Sequence, residues 1–138
     1  MSQPESRVLE TSVGPATLAD IDAALERTWS AYPHVPQSIR MHMGIATAEI
    51  GANIIEHAVA NRPICLMMDV AVMPDRMRVE FTDDGDQVPV PVDLSSVQMP
   101  EAMAERGRGL ALAQAVLEEL IYRRTHLNHW TLVSKPFE

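Results

Sequence analysis

The sequence predicts an α+β domain, with helices packed on one face of a mixed, largely antiparallel sheet. Three observations predict it. Residues 37–60 carry apolar side chains at steps of three and four, the spacing of a long helix. Residues 64–73 and 77–82 are two strand-like runs joined by Pro74-Asp75, a turn signal that makes them a hairpin. The elements do not alternate regularly as strand and helix, so a parallel doubly wound sheet is not expected.

Residues 7–13 read as a short first strand, which Gly14-Pro15 breaks. A helix over about 16–31 places Leu18, Ile21, Leu25 and Trp29 at helical spacing. Pro33 and Pro36 punctuate a short link to the long helix, where Met41, Ile45, Ala48, Ala52, Ile55 and Val59 make the expected core-facing stripe. A second stripe on that helix, Glu49, Asn53 and His57, is polar, and Asn61-Arg62-Pro63 ends the helix. In the second strand of the hairpin, Met77, Val79 and Phe81 alternate with Arg78, Glu80 and Thr82, giving one buried and one wet face. That strand runs into Asp83-Asp84-Gly85. A long irregular stretch follows, about 86–105, with Pro89, Pro91 and Pro100; a loop of that length in so small a domain is functional or mobile. It ends at Gly107-Arg108-Gly109, where a helix begins with Leu110, Ala113, Leu117 and Leu120 at helical spacing. Strands over 120–125 and 129–134 close the chain.

The 138 residues suit one domain with one core, and an apolar fraction of 46% supplies that core without disulfides or metals. The single cysteine, Cys65, lies in an apolar run and reads as a buried thiol in a reducing cytosol. No apolar run approaches the roughly 20 residues of a membrane span, and the polar start has no leader-like apolar segment, so a cytoplasmic protein is expected. The net charge of −8 argues against nucleic-acid binding, which needs a basic face, and is compatible with solubility or with a basic protein partner.

Three segments carry chemistry. Glu49 and Asn53, four apart, share a helix face; the amide oxygen is a hard ligand of the kind Mg²⁺ prefers, and the carboxylate can orient or deprotonate a nucleophile. Asp83 ends an apolar strand, where an acceptor can meet the amino group of a base, and Gly85 lets the backbone approach a flat ring. Gly107-Arg108-Gly109 precedes a helix whose first N–H groups and dipole suit phosphate. Singly, each is equally a solvated stripe, a turn or a loose loop. Neither a P-loop nor a Rossmann fingerprint is present. His42, His126 and His129 show no metal-ligand spacing.

In order and context, the three segments resemble the nucleotide boxes of the GHKL ATPases, in the form found in bacterial anti-sigma-factor serine/threonine kinases. "TAEIGANIIEHA" (47–58) resembles the N box, "VEFTDDGDQVP" (79–89) the G1 box, and "RGRGLALAQAVLEELIYRR" (106–124) the G2 box with its helix, while "HWTLVSK" (129–135) resembles the last strand. The likeness covers nearly the whole chain. It implies a two-layer sandwich of the GHKL (Bergerat) type over 1–138, holding ATP and Mg²⁺, with 86–105 as the ATP lid. By position it implies Glu49 as catalytic base or orienter, Asn53 as Mg²⁺ ligand, and Asp83 and Gly85 as adenine contacts. Gly107, Arg108, Gly109 and Leu110 become the phosphate segment, Thr131 a polar residue near the adenine, and His57 a nucleotide-site residue of structural or catalytic role. It implies transfer of the γ-phosphoryl group to a serine or threonine of a STAS-domain anti-anti-sigma protein, with a sigma factor and a second copy of the chain as further partners. Two departures stand out: Gln87 replaces a G1 glycine, and Leu127-Asn128-His129 replaces the glycine-rich approach to the last strand. They motivate one alternative, a nucleotide-holding partner-switch protein with little turnover; a second, an ATP-free α+β interaction domain, would make the three motifs coincidental.

Overall fold

The structure is a computed structural model that describes residues 6–57, 62–86 and 104–138, with the backbone alone over 104–108. The elements run β1 (Ser6–Ser12), α1 (Thr17–Ala31), α2 (Gln37–His57), β2 (Cys65–Val72), β3 (Met77–Asp83), α3 (Ala104–Val116), β4 (Leu117–Arg124) and β5 (Asn128–Ser134). The five strands form one sheet in the order β1-β2-β3-β5-β4, and each neighbouring pair is antiparallel. The expected lid lies outside the described residues except at its two ends, and so does Gln87.

Alternation decides which face of the sheet is covered. Leu66, Met68, Val70 and Val72 on β2, Met77, Val79 and Phe81 on β3, and Trp130 and Leu132 on β5 are buried, while the residues between them on β3 and β5 are half-exposed. The buried side chains join one core with Ile21, Leu25 and Trp29 of α1 and with α2 and α3. Phe81 and Trp130 are directly paired across strands and fully buried, each burial contributing roughly 2–3 kcal/mol. The C-terminus is tied down as well: the Phe137 N–H donates to Asp75 O at 2.7 Å in the β2–β3 turn, and its buried ring lies 6.0 Å from that of His34.

Two expectations are corrected. On α2 the core stripe is Ile39, Met43, Ala46, Ile50 and Ile54, while Met41 is 57% exposed and Ala48 and Ala52 face outward. The helix carries apolar residues on two opposite sides, both at helical spacing, so periodicity alone does not choose between them. Val59 lies outside the described residues. The second correction concerns Leu117 and Leu120, which belong to β4 rather than to the preceding helix. Both point into the core because the β4–β5 register shifts between Leu117 and Glu119. A bulge of this kind inserts one residue and converts a spacing of two into a spacing of three, which imitates a helix.

Candidate functional site

α2 is the platform of the site. Its two neighbours in the helical layer are α1 and α3. Gly51 faces α1, where an added Cβ would lie 2.8 Å from Ile21 Cδ1. Glu49 faces α3, where a Cβ added at Gly109 would lie 2.7 Å from Glu49 Oε2. Only glycine at 109 lets the carboxylate rest where it does. Residues 60 positions apart, from two separate motifs, are thereby brought into contact. One helical turn beyond Glu49, the Asn53 Oδ1 is buried with no hydrogen-bond partner among the described residues. His57, the last residue of α2, is half-buried one further turn on.

α3 begins at Ala104, so Gly107, Arg108 and Gly109 lie within it rather than before it. An α-helix leaves its first N–H groups without intrahelical partners, and Gly107 lies just past them in the first turn of α3. The Arg108 side chain lies outside the described residues. Leu110 is 8% exposed and packs into the core.

The second half of the site is the end of β3. Asp83 is 3% exposed, and its Oδ1 accepts the Gly85 N–H at 2.9 Å and the Asn128 Nδ2 at 2.9 Å. Its Oδ2 is buried and has no partner among the described residues. Asp84 secures the same turn: its Oδ1 accepts the Cys65 N–H at 2.8 Å, and Arg62 donates to its main-chain carbonyl. On the far side, Arg124 Nη1 donates to Gly85 O at 2.8 Å. A Cβ at Gly85 would lie 3.0 Å from Asp83 Oδ1, so a side chain there would crowd the carboxylate.

Thr131 does not join the site. It pairs with Glu80 and Ile121 and shares the open face of the sheet with His129 and Val133, whereas Asp83 faces the helices. The polar neighbour of Asp83 is Asn128, its register partner on β5 and fully buried. Sequence reasoning passed over Asn128; the signal was there, as the polar residue that interrupts the glycine-rich approach. A cavity of about 330 Å³, lined by Glu26, Trp29, Gln37, Arg40 and Met41, lies at the opposite end of α2 from Asn53. Its one cation, Arg40, is engaged by the Val35 and Pro33 carbonyls and by the Trp29 ring.

A family model described as histidine kinase-like ATPase domain matches residues 12–135. The chain belongs to this family. As a histidine kinase-like ATPase domain it is an ATP-binding module of the kinase type, and the match spans all of the residues just described. Among solved structures it is similar to the histidine kinase domain from Erythrobacter litoralis EL346 blue-light activated histidine kinase, with a TM-score of 0.56 and 20% identity. That likeness covers 81% of this chain and 59% of that one, and at such identity it is a likeness of fold. A search of curated proteins gave no match.

Mg²⁺ and ATP fit the residues present. Asn53 Oδ1 and Asp83 Oδ2, buried side-chain oxygens without partners among the described residues, are both acceptors on expected site residues: one is a hard amide ligand, the other a carboxylate placed for a donor. Among the described residues, no group of three or more His, Cys, Asp or Glu is placed to hold a metal.

Proposed function

We propose that this ATPase domain is a serine/threonine protein kinase of the anti-sigma type, acting on a STAS-domain antagonist in a partner-switching pathway. The observation that carries the reading is the placement of Glu49, its carboxylate against the Gly109 backbone of α3 and one turn from the Asn53 oxygen, which has no partner among the described residues. A carboxylate between the metal ligand and the phosphate-bearing helix is where phosphoryl transfer to a hydroxyl needs a base or orienter.

Asp83 holds the base through its Oδ2, and Asn53 offers its oxygen to Mg²⁺, which supplies charge neutralisation on the phosphates. Glu49 orients the partner's hydroxyl and accepts its proton as the oxygen bonds to the γ-phosphorus; the bond to ADP breaks, leaving a phosphoserine or phosphothreonine. The helix carrying Gly107 presents backbone N–H groups to the phosphates. The acidic chain suits a partner with a basic patch. A sigma factor as second partner and a homodimer belong to the same proposal.

The test is transfer of labelled γ-phosphate from Mg-ATP to a purified STAS-domain protein. Stoichiometric labelling of Ser or Thr, lost in Glu49→Gln, supports the proposal. Nucleotide binding and partner binding without transfer would overturn it and leave a nucleotide-holding switch protein.

A further inference from the structure

We infer that Asn128 is a positioning residue for nucleotide selection: it fixes the Asp83 carboxylate so that one oxygen alone is left to read the exocyclic amino group of the base. The inference rests on the nucleotide site proposed above and adds a residue to it.

The argument starts from bonding capacity. An Asn side chain offers two N–H donors and one oxygen with two lone pairs. Here the Nδ2 side meets only acceptors: Asp83 Oδ1 at 2.9 Å, Asp86 O at 2.9 Å and Gly85 O at 3.3 Å. The Oδ1 side meets only donors, the Tyr122 hydroxyl and Arg124 Nη1, the latter at 3.0 Å. Rotating the amide by half a turn would set oxygen against three acceptors and nitrogen against two donors, so the orientation is determined by its surroundings. The capacity is used up, and Asn128, fully buried, has nothing left with which to touch a ligand. It acts through Asp83.

The effect on Asp83 is specific. Oδ1 is occupied twice, by the Gly85 N–H and by Asn128 Nδ2. Oδ2 is left as a buried acceptor with no partner among the described residues. A purine bearing an amino group at its six position supplies a donor to such an oxygen; a purine with a carbonyl or a hydrogen there does not. Without Asn128 the carboxylate keeps one backbone donor, is free to turn, and loses the difference between its two oxygens. Tyr122 anchors the arrangement from behind, its ring 4.7 Å from that of the buried Trp130.

The experiment compares the Kd of ATP with that of purine riboside 5′-triphosphate, which lacks only the six-amino group, in the wild type, Asn128→Ala and Tyr122→Phe. Thermal unfolding of each variant is recorded alongside. A hydrogen bond to a charged group predicts that the wild type prefers ATP by about tenfold or more. In Asn128→Ala the preference contracts to about twofold, with ATP losing affinity and the analogue nearly unchanged. Tyr122→Phe removes one hydroxyl and gives an intermediate preference, which decides the matter if Asn128→Ala does not fold. Equal losses for both nucleotides, or an undiminished preference in variants that bind, would overturn the inference while leaving the nucleotide site in place. A wild type that binds neither nucleotide would overturn both.

Discussion

Gly109→Ala separates the fold from the chemistry. The new Cβ would stand 2.7 Å from Glu49 Oε2, while Glu49 Cδ at 3.7 Å and Cβ at 3.9 Å are in ordinary contact. Carbon–oxygen contacts settle at about 3.3–3.6 Å, so the oxygen must retreat by roughly 0.6 Å or more. It is the far end of a flexible side chain, and the retreat costs the fold little. Alanine in place of a helical glycine contributes up to about 1 kcal/mol, which raises the Tm of a domain of this size by roughly 3 °C. Misplacing a reacting group by about 1 Å costs on the order of a hundredfold in rate, so phosphoryl transfer is expected to fall by about tenfold to a hundredfold. Labelled transfer and differential scanning fluorimetry on the same preparations are the assays. On the slow residual transfer that remains in Glu49→Ala, followed over long single-turnover times, Gly109→Ala should have no further effect, since changes acting through one group do not add. Unchanged transfer in Gly109→Ala, or an equal loss with and without Glu49, would refute the reasoning.

Other outcomes follow from the same geometry. Asn53→Ala removes an oxygen that has no partner among the described residues, so Tm should change by less than about 3 °C while ATP binding stops responding to Mg²⁺, as read by calorimetry with and without EDTA. His129 should titrate below the ordinary histidine range, because burial and the neighbouring Arg123 and His126 oppose its charge. Its folded pKa lies below the unfolded value of about 6.5, so the unfolded chain binds the proton more readily and stability declines as pH falls through that value. NMR titration of the ring and pH-dependent unfolding of His129→Gln, which should lose part of that decline, check the sign.

The chain order of elements was legible because hairpin and helix signals are local. The face of α2 was not. Met41, Ile45, Ala48 and Ala52 repeat as regularly as Ile39, Met43, Ala46 and Ile50, and only the sheet beneath decides which row is covered. Leu117 and Leu120 misled for the opposite reason: a β-bulge, which depends on the partner strand β5, gave a strand the spacing of a helix. The candidate site residues Glu49, Asn53, Asp83 and Gly85 are visible as types at fixed spacing. Their relations are not, because the contact of Glu49 with Gly109 and the five hydrogen bonds of Asn128 all join segments distant in sequence or set by register. Thr131 failed on parity: it is three residues beyond Asn128, and an odd step on a strand crosses to the other face.

The apolar outer side of α2 has its own physical consequence. Met41 on α2, Leu18 on α1 and Leu112 on α3 are all exposed, which leaves the helical layer with apolar side chains on its solvent side as well as toward the sheet.

The central claim is that Glu49, Asn53 and Asp83 form one Mg-ATP site, and titration calorimetry of the wild type and Asp83→Ala tests it most directly. Saturable, Mg²⁺-dependent binding of one ATP per chain, weakened by about tenfold or more in Asp83→Ala, is the predicted result. Absence of binding by the folded wild type, or equal affinity in a folded Asp83→Ala, would contradict it.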